Sequence, residues 1–427
     1  MFDKIIGGDT MTDKTIMHID VNSAFLSWQA AYEKQIGMDR DLRKLPSIIG
    51  GNQESRHGIV LAKSTIAKKA GIKTGESIME ARTKCKDLVI VPPNHALYIK
   101  CSKALISLLG EYSPNISIFS IDECFLDYTR MEEHFGPPVE AAYKIKERIH
   151  KELGFTVNIG ISTNKLLAKQ AGDLSKPNKV HTLYPNEIKK KLWPLPVEEL
   201  FMVGSKTKPK LNEIGIYTIG DLANSDYKLI SSKLKSHGRL IYQYAWGLDD
   251  SNINWEERLP FKSVGNGTTV SFDVEDRETA YKILLSLVET VSRRLRQGEV
   301  KSNVIAVSLT SSEFIYWTHQ RKLLSPTDNT YEIYHITKQL FDEMWDGSPI
   351  RKLNVRASDV VDNFMTQLTL FDKKNKFKME KIDKAIDTIR EKYGDYSIMR
   401  GVFVHSGLKP MLGGFGAEDY PVMSSIL

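Results

Sequence analysis

The chain has 427 residues, 41% of them hydrophobic and 26% charged, a balance that describes ordinary globular protein in about three domains and excludes a single small module or a disordered chain. Lys and Arg number 59 against 53 Asp and Glu, and the net charge of +6 is spread so that no segment is strongly basic; composition permits nucleic-acid binding without arguing for it. No run approaches the roughly 18 apolar residues of a membrane span, the N-terminus is too polar and acidic for a signal peptide, and Cys85, Cys101 and Cys124 form no CxxC or Cys/His cluster, so a cytoplasmic chain with reduced thiols is expected, with no disulfide framework and no structural zinc.

Residues 1–14 read as a disordered extension or a misassigned start, with Met11 and Met17 available downstream. From Ile16 to Phe25, IMHIDVNSAF begins as a short apolar strand carrying His18 and Asp20 and breaks into a polar turn. Residues 59–70 predict a strand passing into a basic helix stopped by Gly71, and 95–111 a further helix. The run ISIFSIDECFLDYT at 116–129 reads as a strand with Asp122 and Glu123 at its centre, followed by a helix over 138–153, a strand over 155–162 and a basic segment over 164–178. Proline-punctuated WPLPVEEL at 193–200 opens a helical region, which places a boundary near residue 184. Within it, FMVGSKTKPKLNEIGIYTIGDLA has the pattern of a helix-hairpin-helix. An Asn-rich tether around 249–256 leads to a β-α-β-β-α-β pattern over 263–361, and QLTLFD with a Lys-rich, weakly patterned tail closes the chain. There is no internal repeat.

The chemistry lies with the carboxylates. Asp20 at one strand end and Asp122–Glu123 on another strand, if adjacent, supply three hard oxygen ligands for two divalent cations, an arrangement suited to in-line phosphoryl transfer. Against this stands the plainer reading of each as a solvated strand-end acid, although interior strands rarely hold two adjacent carboxylates without a reason. Gln367, Leu368, Leu370 and Phe371 offer alternating apolar side chains to a pocket on a partner, or else extend the last strand into the core. The charged run DKKNKFK that follows favours the first.

These residues carry a resemblance. HIDVNSAF, KKAGIKTGESIMEA, SIDECFLD, NIGISTNKLLAK, DLSKPN, PVEELFMVG and QLTLF follow the order and spacing of Y-family DNA polymerases, the DinB/UmuC class that copies damaged templates, over roughly residues 15–371. Asn22, where the DinB branch usually has a second Asp, and the KSTIAK stretch lie nearer the UmuC side. The resemblance implies an α+β right-hand polymerase with palm (15–23 and 94–183), small fingers (24–93) and helical thumb (184–250). A linker (251–262), a separate α+β little finger (263–365) and a clamp-binding peptide with C-terminal tail (366–427) complete the expected organisation.

The same resemblance implies template-directed addition of dNTPs to a primer 3′-hydroxyl with two Mg²⁺ ions, Mn²⁺ being a substitute, at low fidelity and with bypass of damage in an SOS-type response. It matches Asp20, Asp122 and Glu123 to the metal-binding acids, with the carbonyl of Val21 reaching the second metal. Phe25 is matched to the steric gate beside Ser23 and Ala24, and Lys165 to a triphosphate contact. Without the resemblance Phe25 reads as a core aromatic and Lys165 as solvated surface. Thr65 and Lys68 stand where many relatives place Tyr and Arg to hold the triphosphate; as nucleotide contacts their hydroxyl and ammonium still bind phosphate oxygens, without the bidentate geometry of Arg. Met202 replaces the usual first Gly of the hairpin. That leaves Gly204 as the turn residue, with Ser205 and Lys206 a DNA-backbone contact or a purely structural turn. The implied partners are primer-template DNA, dNTPs and, through QLTLF, a bacterial sliding clamp; the chain is expected to be a monomer away from membranes. A catalytically dead clamp- and DNA-binding scaffold and a nucleotidyl cyclase are the rival readings.

Overall fold

The computed structural model describes residues 14–51, 58–249, 251, 262–363, 376–408 and 410–411. Almost all of those up to 251 form one compact unit and those from 262 onward a second. In chain order the first unit contains strands β1 (Ile16–Val21), β2 (Ser47–Gly50), β3 (Val60–Lys63), β4 (Val89–Val91), β5 (Ile116–Ile118), β6 (Glu123–Asp127), β7 (Val157–Ser162) and β8 (Val180–Thr182). The second has β9 (Ser263–Val274), β10 (Val300–Ser311), β11 (Tyr316–Thr327) and β12 (Ile350–Asp362).

The expected palm is a five-stranded sheet in the order β5-β6-β1-β7-β8. Alternation along β1 sends Met17, Ile19 and Val21 into a core shared with the helices His95–Leu109 and Pro138–Leu153, while Ile16, His18 and Asp20 face the other way. Helix Lys165–Asp173 covers that second face, with Ala168 packed on Ile16 and Phe125. It comes close because Gly160 on β7 has no side chain; a Cβ there would lie 2.0 Å from the carbonyl oxygen of Ala168.

A second, three-stranded sheet, β3-β2-β4, lies within the expected fingers. The polar turn anticipated after Asp20 is only two residues long, because helix Ala24–Gln35 begins at once. Its Ala24 and Trp28 pack in the palm core, whereas Leu26 and Ala30 pack with Leu42, Ile49 and Ala62 beside the three-stranded sheet. One helix therefore joins both cores. The continuous strand expected over 116–129 is broken: Phe119–Asp122 turn the chain between β5 and β6, and Phe119 and Ser120 N–H both donate to the Glu123 carbonyl at 3.0 Å. The expected thumb is a set of short helices and one 19-residue helix, Tyr227–Ala245, kinked at Lys235, around a core that includes Leu200, Leu211, Ile219, Leu222 and Ile241.

The second unit has the anticipated β-α-β-β-α-β order, its sheet running β11-β10-β12-β9 with helices Arg277–Gln297 and Thr330–Met344 against it. The tail departs from expectation. Residues Lys376–Tyr393 form an 18-residue helix held to Arg277–Gln297 by ion pairs, among them Arg296 with Asp387 (2.5 Å) and Arg390 with Glu289 (3.4 Å). Glu289 also receives Arg400 at 2.7 Å. A charge-rich sequence reads as tail because its apolar periodicity is weak; here its charges of both signs find opposite charges on a neighbouring helix instead. Gln367, Leu368, Leu370 and Phe371 lie outside the described residues.

Candidate active site

Antiparallel pairing of β1 with β6 sets Asp20 directly opposite Glu123, and His18 opposite Phe125. Directly opposed residues share a face, so Asp20 and Glu123 project together at the sheet end. Asp122 closes the β5–β6 turn, its carbonyl accepting from the Val21 N–H at 3.0 Å and its Oδ1 from the Ser120 hydroxyl at 2.6 Å. The three acids therefore meet through sheet register and one turn.

Two lysines and a histidine balance them. Lys169, from the covering helix, and His18 Nε2, at 2.9 Å, both bind Glu123 Oε2. Lys176 pairs with Asp20 Oδ2 and, at 2.9 Å, with Asp173. Burial pushes the Asp122 carboxyl above the ordinary range, the Ser120 hydrogen bond opposes this, and the charges of Asp20 and Glu123 add to it. Burial would lift Glu123 as well, but the His18 hydrogen bond and the Lys169 charge outweigh it and hold Glu123 at about 2.

The donor set suits hard divalent cations: three carboxylates crowd one sheet end, and their like charges already disfavour ionisation of Asp122. Asp20 Oδ1, Asp122 Oδ2 and Glu123 Oε1 take no side-chain hydrogen bond from the described residues, because every cation or hydroxyl binds the other oxygen of its carboxylate. As they stand, no three His, Cys, Asp or Glu side chains among the described residues are gathered tightly enough to hold an ion.

Behind this end, Asn158 donates to the Gly172 and Ser175 carbonyls at 3.0 and 2.7 Å, which turns its Oδ1 toward the Asn22 amide at 3.0 Å. An aspartate at position 22 would have no N–H to give. The Asn22 Oδ1 accepts from the Asn178 N–H at 2.8 Å, so this amide pair anchors the segment that carries Lys176. Asn22 thus belongs to the scaffold rather than to the carboxylate group.

Ser23, in the left-handed conformation (φ 48°), leads into helix Ala24–Gln35 without a side-chain cap. Ala24 is buried, and the half-buried Phe25 ring stacks on Tyr98 with centroids 4.6 Å apart. Lys165 opens helix Lys165–Asp173, where the Leu166 N–H binds Asp249, and its ammonium lies 5.8 Å from the Phe125 ring centroid. One helical turn further along, Lys169 takes Glu123, and the second cation at the acids is Lys176. Thr65 and Lys68 are exposed on the short helix Thr65–Lys69, with no hydrogen bond or ion pair from them to the carboxylates among the described residues. In the hairpin, Gly204, Ser205 and Lys206 form an exposed turn before helix Thr207–Asn212, but the left-handed residue is Met202 (φ 75°) rather than Gly204. The bend survives without glycine, at the steric cost an L-residue carries there.

Sequence reasoning passed over His18, Ser120, Lys169 and Lys176. The period of two that places Asp20 on an open face also places His18 beside it, and Lys176 stands within the DLSKPN segment.

Residues 19–173 match the impB/mucB/samB family, residues 261–370 its C-terminal domain and 185–216 the IMS family HHH motif. A protein named DNA polymerase IV from Clostridium acetobutylicum is 48% identical over 391 residues, covering 92% of this chain and 98% of the relative. Its namesake from Acetivibrio thermocellus is 37% identical over 395 residues, with the same coverage of both chains. DNA polymerase IV 2 of Bacillus subtilis is 35% identical over 397 residues, covering 91% of this chain and 94% of its own. Among solved structures, a Y-family DNA polymerase chimera of Dbh and Dpo4 superposes with a TM-score of 0.69 at 22% identity, spanning 82% of this chain and 100% of the other. An insertion ternary complex of Dbh DNA polymerase has a TM-score of 0.57, also at 22% identity, over 82% of this chain and 100% of its own. At that identity the likeness speaks to the fold. These names lend no support to a position nearer the UmuC branch.

Proposed function

The chain belongs to the impB/mucB/samB family of Y-family DNA polymerases, and from that premise we propose that it copies damaged templates, adding dNTPs to a primer 3′-hydroxyl at the Asp20–Asp122–Glu123 end of the palm sheet. The observation that carries this site is the register pairing of Asp20 with Glu123, with Asp122 fixed beside them by the Val21–Asp122 backbone bond.

In this reading Asp20, Asp122 and Glu123, with the Val21 carbonyl, hold two Mg²⁺ ions. When bound, the ions neutralise developing charge on the attacking and leaving oxygens of an in-line displacement. Because His18 and Lys169 both bind Glu123 Oε2, its Oε1 is left for an ion, and the rigid donors set the direction in which it points. Lys165 contacts the triphosphate, and Lys176, a compact cation at the same end of the sheet as the acids, adds to the compensation of its charge. Phe25 lies under the sugar and excludes a 2′-hydroxyl, while Ser23, Ala24, Thr65 and Lys68 line the nucleotide's approach. Gly204, Ser205 and Lys206 meet the DNA backbone. The rival readings lose ground: a dead scaffold would not need all three acids, and a cyclase has no use for a thumb hairpin or a little-finger unit.

Primer extension on a defined template is expected to require Mg²⁺ or Mn²⁺ and to continue past at least some template lesions. Absence of any metal-dependent extension, with the protein folded and bound to primer-template, would sink the enzymatic reading in favour of the scaffold.

Gln367, Leu368, Leu370 and Phe371 serve, in the same proposal, as the sliding-clamp peptide. Two Leu and a Phe seated in a partner pocket contribute about 1.5–3 kcal/mol each in gross hydrophobic free energy. Part of this is offset by ordering the segment, so micromolar affinity is expected. Replacing all four residues with Ala should remove clamp binding in a titration while leaving the melting temperature and clamp-free extension unchanged. A loss of several degrees would instead identify the segment as core strand.

A further inference from the structure

A steric gate discriminates by excluded volume, so its selectivity depends on what stops the gate ring from moving aside. Phe25 is the second residue of Ala24–Gln35, whose preceding Ser23 is left-handed and supplies no side-chain cap; its backbone is anchored by the buried Ala24 and Leu26, but the face of its ring is supported from a different element. Asn94 caps helix His95–Leu109 by accepting from the Leu97 N–H at 3.1 Å. From that fixed first turn His95 and Tyr98, three residues apart and so on one helical face, reach the gate. Tyr98 is 0% exposed, and its ring lies 4.6 Å from that of Phe25 at an interplanar angle of 8°. His95 meets Phe25 edge-on at 5.9 Å and 77°. Trp28 stands behind Phe25 at 6.1 Å. The Tyr98 hydroxyl has no hydrogen-bond partner among the described residues, so it is the ring that makes the contact.

We propose that Tyr98, braced by His95, is a positioning residue for sugar selection: its buried ring is the platform that keeps Phe25 in the plane that excludes a 2′-hydroxyl. The inference rests on Phe25 being the gate. A smaller aliphatic side chain at position 98 would let the Phe25 ring tilt or sink into the vacated volume, relaxing the exclusion without removing the gate itself. A dNTP presses less on that ring and should be affected less.

The test is single-nucleotide insertion by the full chain with Mg²⁺, reading the ratio of kcat/KM for a dNTP to that for the matching rNTP, with melting temperatures as the check on folding. Phe25→Ala is expected to lower the ratio by about a hundredfold and Tyr98→Leu by about tenfold, chiefly through tighter rNTP use. Tyr98→Phe, which keeps the ring, is expected to retain the wild-type ratio within about twofold. If Phe25→Ala loses discrimination while a folded Tyr98→Leu keeps it, the gate stands and the platform is overturned. A ratio unchanged in Phe25→Ala overturns the gate, and the platform with it. Loss in Tyr98→Phe as large as in Tyr98→Leu overturns a role for the ring. Should Tyr98→Leu fail to fold, His95→Ala decides: a ratio lowered severalfold supports the platform, and a wild-type ratio overturns it.

Discussion

Nucleotide addition by Asp122→Asn or Glu123→Gln is expected to fall at least about a hundredfold, equivalent to roughly 2.7 kcal/mol or more of lost transition-state stabilisation. The two changes act differently. Asp122 is half-buried beside like charges, so the neutral amide relieves repulsion and costs little in folding, yet in the proposed reading it withdraws a charged ligand. Glu123→Gln leaves Lys169 and His18 facing a weaker acceptor, so a modest loss of melting temperature should accompany the loss of activity. Primer-template binding should remain nearly intact in both, because in the proposed reading the grip on DNA is distributed over thumb and little finger. Single-turnover extension and a DNA-binding titration on the same preparations make the comparison. Retention of more than about a tenth of wild-type kcat, a loss of only about 1.4 kcal/mol, would remove these acids from the metal site.

Gly160→Ala is expected to destabilise the first unit by more than about 4 kcal/mol, in the range reserved for severe packing conflicts. The added methyl would sit 2.0 Å from the Ala168 carbonyl oxygen, 2.3 Å from the Gly172 N–H nitrogen and 3.0 Å from the Ala171 carbonyl carbon. All three are backbone, so no rotamer change relieves the clash. Helix Lys165–Asp173 would have to lift from β7, taking Lys169 away from Glu123 and disturbing the Asn158–Gly172 bond that helps place Lys176. Loss of stability and of catalysis are thus expected together. Gly204→Ala is the control: nothing lies within 4 Å of its added methyl, and the change in stability should stay within about 0.5 kcal/mol. Denaturant melts of both variants against wild type suffice. A Gly160→Ala protein as stable as the control would mean that the strand and helix are not in close contact.

Much of this protein was legible from its residues alone. Asp20, Asp122 and Glu123 announce themselves because paired acids in an apolar, β-branched run are costly and hence rare, and the alternation in β1 and the order of the second unit follow from local periodicity. Helix Lys376–Tyr393 was not legible, since its stability comes from charges on Arg277–Gln297 rather than from an apolar stripe of its own. Nor does residue type show that Met202, rather than a glycine, takes the left-handed conformation in the hairpin, because that geometry is decided by packing around the turn. Which lysines meet the acids was beyond the sequence as well. Lys165, Lys169 and Lys176 are chemically alike. Only the rotation of one helix over β7, set by a glycine that lets it approach, and an amide pair between Asn22 and Asn158 turn the second and third toward the carboxylates and leave the first beside Phe125. Residue type carries the chemistry along the chain, but direction in space belongs to contacts between segments, from a strand and the helix that follows it to partners more than a hundred residues apart.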